Sequence, residues 1–130
     1  MGARINYIFK NSLTQPSVVL YSHWGETEWQ RDLAMALEHS KPRWIDDSYA
    51  TRMMISYLIQ DCVLEETGFG IYAMQGPDYE MFDFTVVVDF VNNTIYELGS
   101  DVHVRWNAFI EAYNPKVLVE ASATEGSHSA

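Results

Sequence analysis

The sequence is poor in cysteine and has no long apolar run. Cys62 is the only cysteine among 130 residues, so a disulfide within the chain and a zinc site built on paired thiolates are excluded. Because Cys62 falls in an apolar stretch, we expect a buried, inert thiol. No run reaches the roughly 18 apolar residues of a membrane-spanning helix, and residues 1–7 lack the apolar core of a signal peptide. We therefore expect a soluble, cytoplasmic protein without a membrane partner.

Basic residues are also scarce. The chain has 8 Lys and Arg against 18 Asp and Glu, a formal net charge of -10. Proteins that bind nucleic acid concentrate Lys and Arg, so we expect no direct nucleic-acid binding. The acidity could serve solubility alone, or form a surface that docks on a basic partner or imitates nucleic acid. Only Asp46-Asp47 and Glu65-Glu66 are adjacent, which weakens the mimicry interpretation without excluding it.

The residue patterns that mark enzymes and metal sites are missing. His23, His39, Asp46 and Asp47 lack the H-x-x-x-H or H-x-H spacing of a metal site. Ser, His and Asp occur without the local signatures of a catalytic triad. Asp89 is a carboxylate in an apolar strand. Either its pKa is perturbed, or a cross-strand partner such as Tyr96 stabilises it there. We expect no metal, no cofactor and no catalytic residue, and favour a binding protein over an enzyme.

Alternating apolar residues predict the strands. Pro16 lies in a polar turn between the first two, which predicts an N-terminal hairpin, and Asn92-Asn93 suits a tight turn that needs positive φ. A further short extended piece is possible at Lys116–Glu120. The predicted strands are Ala3–Lys10, Val18–Tyr21, Phe69–Met74, Phe84–Val91 and Thr94–Leu98.

Three stretches have the apolar spacing of amphipathic helices. The first runs from Thr27 to about His39, and the third from Asp101 to Tyr113. The second runs from about Tyr49 to Val63 and follows the capping cluster Asp46-Asp47-Ser48. Since the second helix is apolar around most of its circumference, it must be covered on more than one side, by the core or by a second subunit.

This element order, ββααβββα, predicts an α+β fold. We expect a mostly antiparallel sheet of about five strands with the helices packed mainly on one face. Residues 1–120 would form a single domain and residues 121–130 a disordered tail. The other face of the sheet is too apolar for plain solvent surface, so we expect the third helix, an interface or a shallow binding surface there. Its predicted residues are Ile8, Val19, Tyr21, Tyr72, Met74, Val87, Val91 and Tyr96.

The stretch Val18–Trp29 offers the best small-ligand hypothesis, because it predicts a strand that runs into a helix. The free N–H groups at the helix N-terminus could hold an anion, such as a nucleotide or another phosphate-bearing metabolite. The alternative is that the aromatic rings pack the strand–helix corner while Glu26 or Glu28 occupies the helix end. The candidate ligand residues are His23, Trp24, Thr27, Arg43, Arg52 and Arg105.

Five aromatic or flexible apolar residues are candidates for a protein interface. Three belong to the predicted second face of the sheet and two to the second helix, where Met suits an adaptable surface. They are Tyr21, Tyr72, Tyr96, Met53 and Tyr57.

Several segments resemble small uncharacterised proteins of actinobacterial phages and related bacterial genomes. The resemblance covers most of the chain to about Asn93, although the relatives have a Trp near the end of the second helix where this chain has Cys62-Val63-Leu64. It implies a phage or prophage accessory protein, and a host protein or a signalling nucleotide as partner. The segments are Met1–Phe9, Leu20–Gly25, Leu33-Ala34, Ala36-Leu37, Arg43-Trp44, Glu66–Gly70 and Thr85–Asp89.

Together these observations predict a non-enzymatic, acidic accessory protein that binds and modulates a host protein as a homodimer. The alternative is a small-ligand binding protein, or a small hydrolase, that uses the corner at His23 and Trp24.

Overall fold

The computed structural model describes residues 4–11, 16–23, 28–75 and 83–114. Within these ranges it contains three α-helices and a six-stranded mixed sheet, which confirms the α+β class. A 3-10 turn at Lys41–Arg43 joins the first two helices. The elements in chain order are β1 Ile5–Lys10, β2 Ser17–Ser22, α1 Trp29–Ser40, α2 Asp47–Ile59, β3 Phe69–Met74, β4 Phe84–Asp89, β5 Thr94–Glu97, β6 Val104–Arg105 and α3 Trp106–Tyr113.

The strands lie in the order β3-β2-β1-β4-β5-β6. β1 and β2 form the predicted N-terminal hairpin, and after α1 and α2 the chain adds β3 on the outer side of β2. β4 then pairs with β1 in parallel, while the other four pairs are antiparallel. A mostly antiparallel sheet is therefore confirmed for the described residues.

The expectation of five strands and of a third helix from Asp101 is wrong. Val104 and Arg105 pair with Ile95 and Thr94 as a sixth strand, and the helix begins only at Trp106. A strand of two residues is too short to show an alternating pattern, so Val104 and Arg105 were included in the predicted helix. Val102, which was predicted to belong to the same stripe, is 71% exposed.

The first face of the sheet carries the main core and all three described helices. Residues that pair across strands share a face, so β1, β2, β4 and β5 contribute alternate apolar residues to this layer. Trp106 lies in its centre, where its Nε1–H donates to the carbonyl of Thr94 at 3.0 Å. The ring of Trp106 meets Trp44 and Phe90 edge-on at 4.9 Å. The helices therefore lie on one face, as predicted.

The second face is closed at its centre. Ile8, Val19 and Val87 are fully buried there, and Met74 and Tyr96 pack against them. The strand registers confirm the predicted face assignment along β1 to β5, although Val91 lies beyond the end of β4. The centre of this face is therefore core rather than an open binding surface.

Some predicted boundaries are confirmed and others are not. Asn93 has φ 55°, which confirms the tight turn between β4 and β5. α2 ends at Ile59 rather than Val63, because the chain continues in tight turns in which the N–H of Cys62 bonds to the carbonyl of Ile59. No helix among the described residues is long and apolar enough to cross a membrane. Thr27, Lys116–Glu120 and the tail 121–130 lie outside the described residues.

Candidate functional site

β3 is the outermost strand on its side of the sheet, within the part of the chain that the structure describes. The N–H of His23 donates to the carbonyl of Gly68 at 2.9 Å, directly beside the pair Ser22 and Phe69. In an antiparallel pair, the residues that bond to the neighbouring strand alternate with residues that direct their backbone groups away from it. The alternation leaves three residues with outward N–H and C=O groups: Phe69, Ile71 and Ala73.

The same three residues place apolar side chains on the helix face of the sheet. Their partners Val18 and Leu20 on β2 belong to that face, and Phe69 packs at the margin of the core. Ile71 is 58% exposed. Within the described residues, β3 therefore combines outward backbone hydrogen-bonding groups with exposed apolar side chains, which is the arrangement that edge strands usually hide.

A groove of about 490 Å³ lies between α2 and the strands β2 and β3. Its apolar residues are Val18, Ile55 and Ile71. At one end, Nδ2 of Asn11 donates to Oγ1 of Thr51 at 3.4 Å, which ties the sheet to the helix. The remaining lining residues are polar or charged: Asp47, Ser48, Arg52 and Ser56.

The start of α2 is fixed by the capping cluster that the sequence predicted. Asp46 is the N-cap, and its Oδ1 accepts from the N–H of Tyr49 at 3.4 Å. Only one side of α2 is buried in the described structure, through Ala50, Thr51 and Met54. Within the described residues the groove side of this helix is open, and its predicted cover by the core or by a second subunit on more than one side stays a prediction.

Exposed apolar side chains concentrate around α2 and β3. Six of the nine large exposed apolar residues in the described ranges lie between residues 45 and 72. They do not share one surface, because Ile71 lies on the helix face of the sheet and Tyr72 on the second face, and of the six only Ile71 lines the groove. The six are Ile45, Tyr49, Val63, Leu64, Ile71 and Tyr72.

A second, polar cleft lies at the other end of α2. It consists of two adjoining cavities of about 210 and 350 Å³, which share Asp32, Leu58 and Asp61. The smaller one also reaches Tyr7, and it shares no lining residue with the groove. Cys62 lines this cavity and is half-buried, so the expectation of a fully buried thiol is wrong.

Burial in this cleft disfavours the charged forms of Tyr7 and Asp32. Burial raises the pKa of the Tyr7 hydroxyl well above its usual value, and the negative charge of Asp32 raises it further. Burial also raises the pKa of Asp32, an effect that Arg31 opposes and Glu28 reinforces. Arg31 bonds to the Glu28 carboxylate and lies 3.6 Å from Asp32. The cleft therefore holds negative charge at a cost in solvation.

The candidate ligand residues are not brought together by the described structure. His23 is half-buried at the end of β2, with its Nδ1 3.1 Å from the Tyr21 hydroxyl. Arg52 lines the groove beside Val18, which is at the opposite end of β2. Arg43 lies over the ring of Tyr49 near the start of α2, at 5.1 Å.

The other members of that set are more distant or lie outside the described ranges. Arg105 is on β6, at the opposite edge of the sheet from β3. Trp24 and Thr27 fall outside the described residues, so the anion site at the helix N-terminus stays a prediction. No group of three or more His, Cys, Asp or Glu among the described residues could hold a metal ion.

The candidate interface residues fall on two surfaces. Tyr21 and Tyr72 lie on the second face of the sheet, as does Tyr96, whose ring stacks on His103 at 3.8 Å. Met53 and Tyr57 lie on α2, where both are half-buried. Tyr57 lines the polar cleft, and its ring centre is 5.4 Å from that of His39.

Asp89 has a structural role that neither sequence interpretation anticipated. Its carboxylate accepts from the N–H groups of Val91 at 2.8 Å and Asn92 at 3.2 Å, and from the side chain of Asn92 at 3.1 Å. The buried carboxylate thus closes the turn between β4 and β5.

Sequence reasoning missed both the edge position of β3 and the cleft. In the sequence, Tyr7 alternates with apolar residues in the first predicted strand, and Asp32 lies between apolar residues of the first predicted helix. The only local signal was the single hydroxyl in the apolar alternation of Ile5, Tyr7 and Phe9. Asp61 follows the end of α2, and only the fold brings it to the same cavity as Tyr7 and Asp32.

No protein-family model, curated protein or solved structure matches this chain.

Proposed function

We propose that this chain is a non-enzymatic binding protein that holds an extended segment of another protein along β3, in the groove beside α2. One observation carries the proposal. Phe69, Ile71 and Ala73 present outward backbone groups and apolar side chains along a single edge, next to an apolar groove of about 490 Å³. Addition of a strand to such an edge is a common mode of peptide recognition.

The geometry suits an extended segment. β3 has six residues, which corresponds to roughly 20 Å of strand. A bound strand would receive hydrogen bonds from the three outward residues, and its alternate side chains would meet Ile71, Val18 and Ile55. In this mode the backbone bonds supply affinity and the groove supplies sequence preference.

The acidity of the chain favours a basic partner. Residues 46–74, which include α2 and β3, carry five acidic side chains against Arg52 alone, and of these five only Asp47 lines the groove. A segment whose apolar residues are flanked by Lys or Arg would complement this surface and associate faster than a neutral one. The acidic residues are Asp46, Asp47, Asp61, Glu65 and Glu66.

A second copy of the chain is a less suitable occupant. If two copies paired through β3, each would bring a net charge of -10, and like charges oppose association. The homodimer inferred from the sequence stays a prediction, and sedimentation velocity tests it.

In the phage context that the resemblance implies, the partner would be a host protein.

The small-ligand alternative gains no comparable support from the described residues. Ser22, the neighbour of His23, lines the cleft that Asp32 and Asp61 also line. Carboxylates at this end of β2 would repel a phosphate-bearing ligand.

A selection of peptide ligands tests the proposal. The full chain is used to select binders from a random dodecapeptide library displayed on phage, and the enriched peptides are synthesised. We expect apolar residues at alternate positions with Lys or Arg nearby. Ile71→Glu should weaken their binding by about tenfold or more, because it places a charge in the apolar groove.

Val102→Glu is the matched control. It also replaces an exposed apolar residue by Glu, but Val102 lies near the opposite edge of the sheet. The proposal is contradicted if selection yields no binder, or if Val102→Glu weakens the selected peptides as much as Ile71→Glu does.

A further inference from the structure

Tyr7 is a buried polar residue without a hydrogen-bond partner among the described residues. It is 2% exposed and lines the smaller cavity of the polar cleft. Its hydroxyl is not sealed from solvent, because Tyr7 lines this cavity. A buried hydroxyl that keeps such access can still accept or donate a hydrogen bond to a ligand.

Two carboxylates line the same cavity. Asp32 comes from α1 and Asp61 from the turn after α2. Arg31 forms ion pairs with both Glu28 and Asp32, so these four side chains leave an excess of two negative charges. Burial raises the pKa of Asp32, and a cation bound in the cleft would favour its charged form.

The remaining walls of the cavity are largely apolar. Leu58, Ile59 and Phe69 line it beside the carboxylates. This combination suits a ligand with an alkyl stem and a cationic head, because the stem contacts the apolar walls while the head meets the oxygens.

We propose that the cleft formed by Tyr7, Asp32 and Asp61 binds a primary ammonium group on an alkyl stem. An ammonium group has three N–H donors, and the three residues supply one acceptor group each. A guanidinium is planar and carries five donors, which this set matches less well. Carboxylates repel anions, so phosphates and carboxylic acids are excluded as ligands.

The ammonium group could come from a lysine side chain or from a free alkylamine. A lysine is the source that joins this site to the proposed function, since Phe69 of β3 also lines the cavity. The cleft nevertheless shares no lining residue with the groove, so the ammonium site and the peptide groove can succeed or fail separately.

An NMR titration of the full chain tests the site. n-Butylammonium chloride and Nα-acetyl-lysine amide are added separately at constant ionic strength to the 15N-labelled protein, with the neutral alcohol 1-pentanol as a control probe. We expect saturable shifts of the Leu58, Ile59 and Phe69 amides with the ammonium compounds only. Lysine is a source if the lysine amide saturates these shifts, and a free amine is the source if only butylammonium does; both results support the site.

Two variants separate the ammonium contacts from general effects. Asp61→Asn should weaken binding by about tenfold or more, and Tyr7→Phe by about threefold to tenfold, since each removes one acceptor. Asp101→Asn makes the same charge change in the connection from β5 to β6, at an exposed residue that lines neither the cleft nor the groove, and should leave binding unchanged.

Three results would overturn the site. In the first, neither ammonium compound saturates the shifts. In the second, 1-pentanol produces the same shifts, so that only the apolar walls matter. In the third, Asp61→Asn and Asp101→Asn weaken binding equally, so that only the net charge matters. None of these results bears on peptide binding along β3, which the Ile71 variants test.

Discussion

Nδ2 of Asn11 at the end of β1 donates a hydrogen bond to Oγ1 of Thr51 on α2, 3.4 Å away. Both residues line the groove, so the bond connects its floor to its wall. Thr51 is buried and Asn11 half-buried, so water competes with this bond only in part. We infer that it helps to keep the groove at a fixed width before any partner arrives.

A double-mutant cycle measures that bond. Asn11→Ala and Thr51→Val each remove one partner, and the free energy of unfolding of both single variants and of the double variant is measured in urea. We expect a coupling energy of about 0.5 to 1.5 kcal/mol in favour of the bond. Additive single effects would show that the two side chains do not stabilise each other.

The stability of the protein should depend on pH through Asp32. Burial raises the pKa of this carboxyl in the folded state, so the folded chain binds its proton more tightly than the unfolded chain. The resulting stabilisation is fully present below the unfolded pKa of about 4 and is lost as the pH rises through the folded pKa.

Asp32→Asn tests that dependence because it removes the charge and keeps the shape. The variant should unfold at a higher urea concentration than the parent at pH 7, and the difference should shrink as the pH falls towards about 4. Asp101→Asn, at an exposed position in the connection from β5 to β6, is the control for the change in net charge. Greater stability of the parent protein at pH 7 would contradict the prediction.

A proline at residue 71 should remove peptide binding without unfolding the sheet. The N–H of Ile71 points away from β2, so Ile71→Pro deletes a free donor and leaves the bonds between β2 and β3 in place. We expect binding of a selected peptide to fall by about tenfold or more, measured by fluorescence anisotropy. Ile71→Val keeps the N–H and should bind nearly as the parent does.

Circular dichroism and the thermal midpoint decide whether the Ile71→Pro chain is folded. If the folded variant binds the peptide as tightly as Ile71→Val does, the segment does not pair with β3.

Local sequence patterns predicted most of the elements and both faces of the sheet. Alternation placed Val19 and Tyr21 opposite Leu20, and Asn93 was expected at the turn where the structure gives it positive φ. These features depend on neighbouring residues, which the sequence displays directly. The parallel pairing of β1 with β4 and the two-residue strand β6 depend on contacts between distant segments. The sequence therefore contains no local pattern that predicts this pairing or this strand.

The candidate surfaces were harder to predict for the same reason. Phe69–Met74 was expected as a strand, but its place at the edge follows from strand order. Asp32 lies on the polar side of the first predicted helix. That side lines a cleft only because the end of α2 lies beside it in the fold. Sequence reasoning thus identified the acidity and the apolar second helix, while the position of the groove required the fold.

Hydrogen exchange at β3 tests the central claim most directly. Amide exchange rates of Phe69, Ile71 and Ala73 are measured by NMR in the free protein and in its complex with a selected peptide. A strand added to this edge would bond the outward N–H groups, so we predict that their exchange slows by about tenfold or more in the complex. Unchanged exchange at all three amides in a saturated complex would contradict the account.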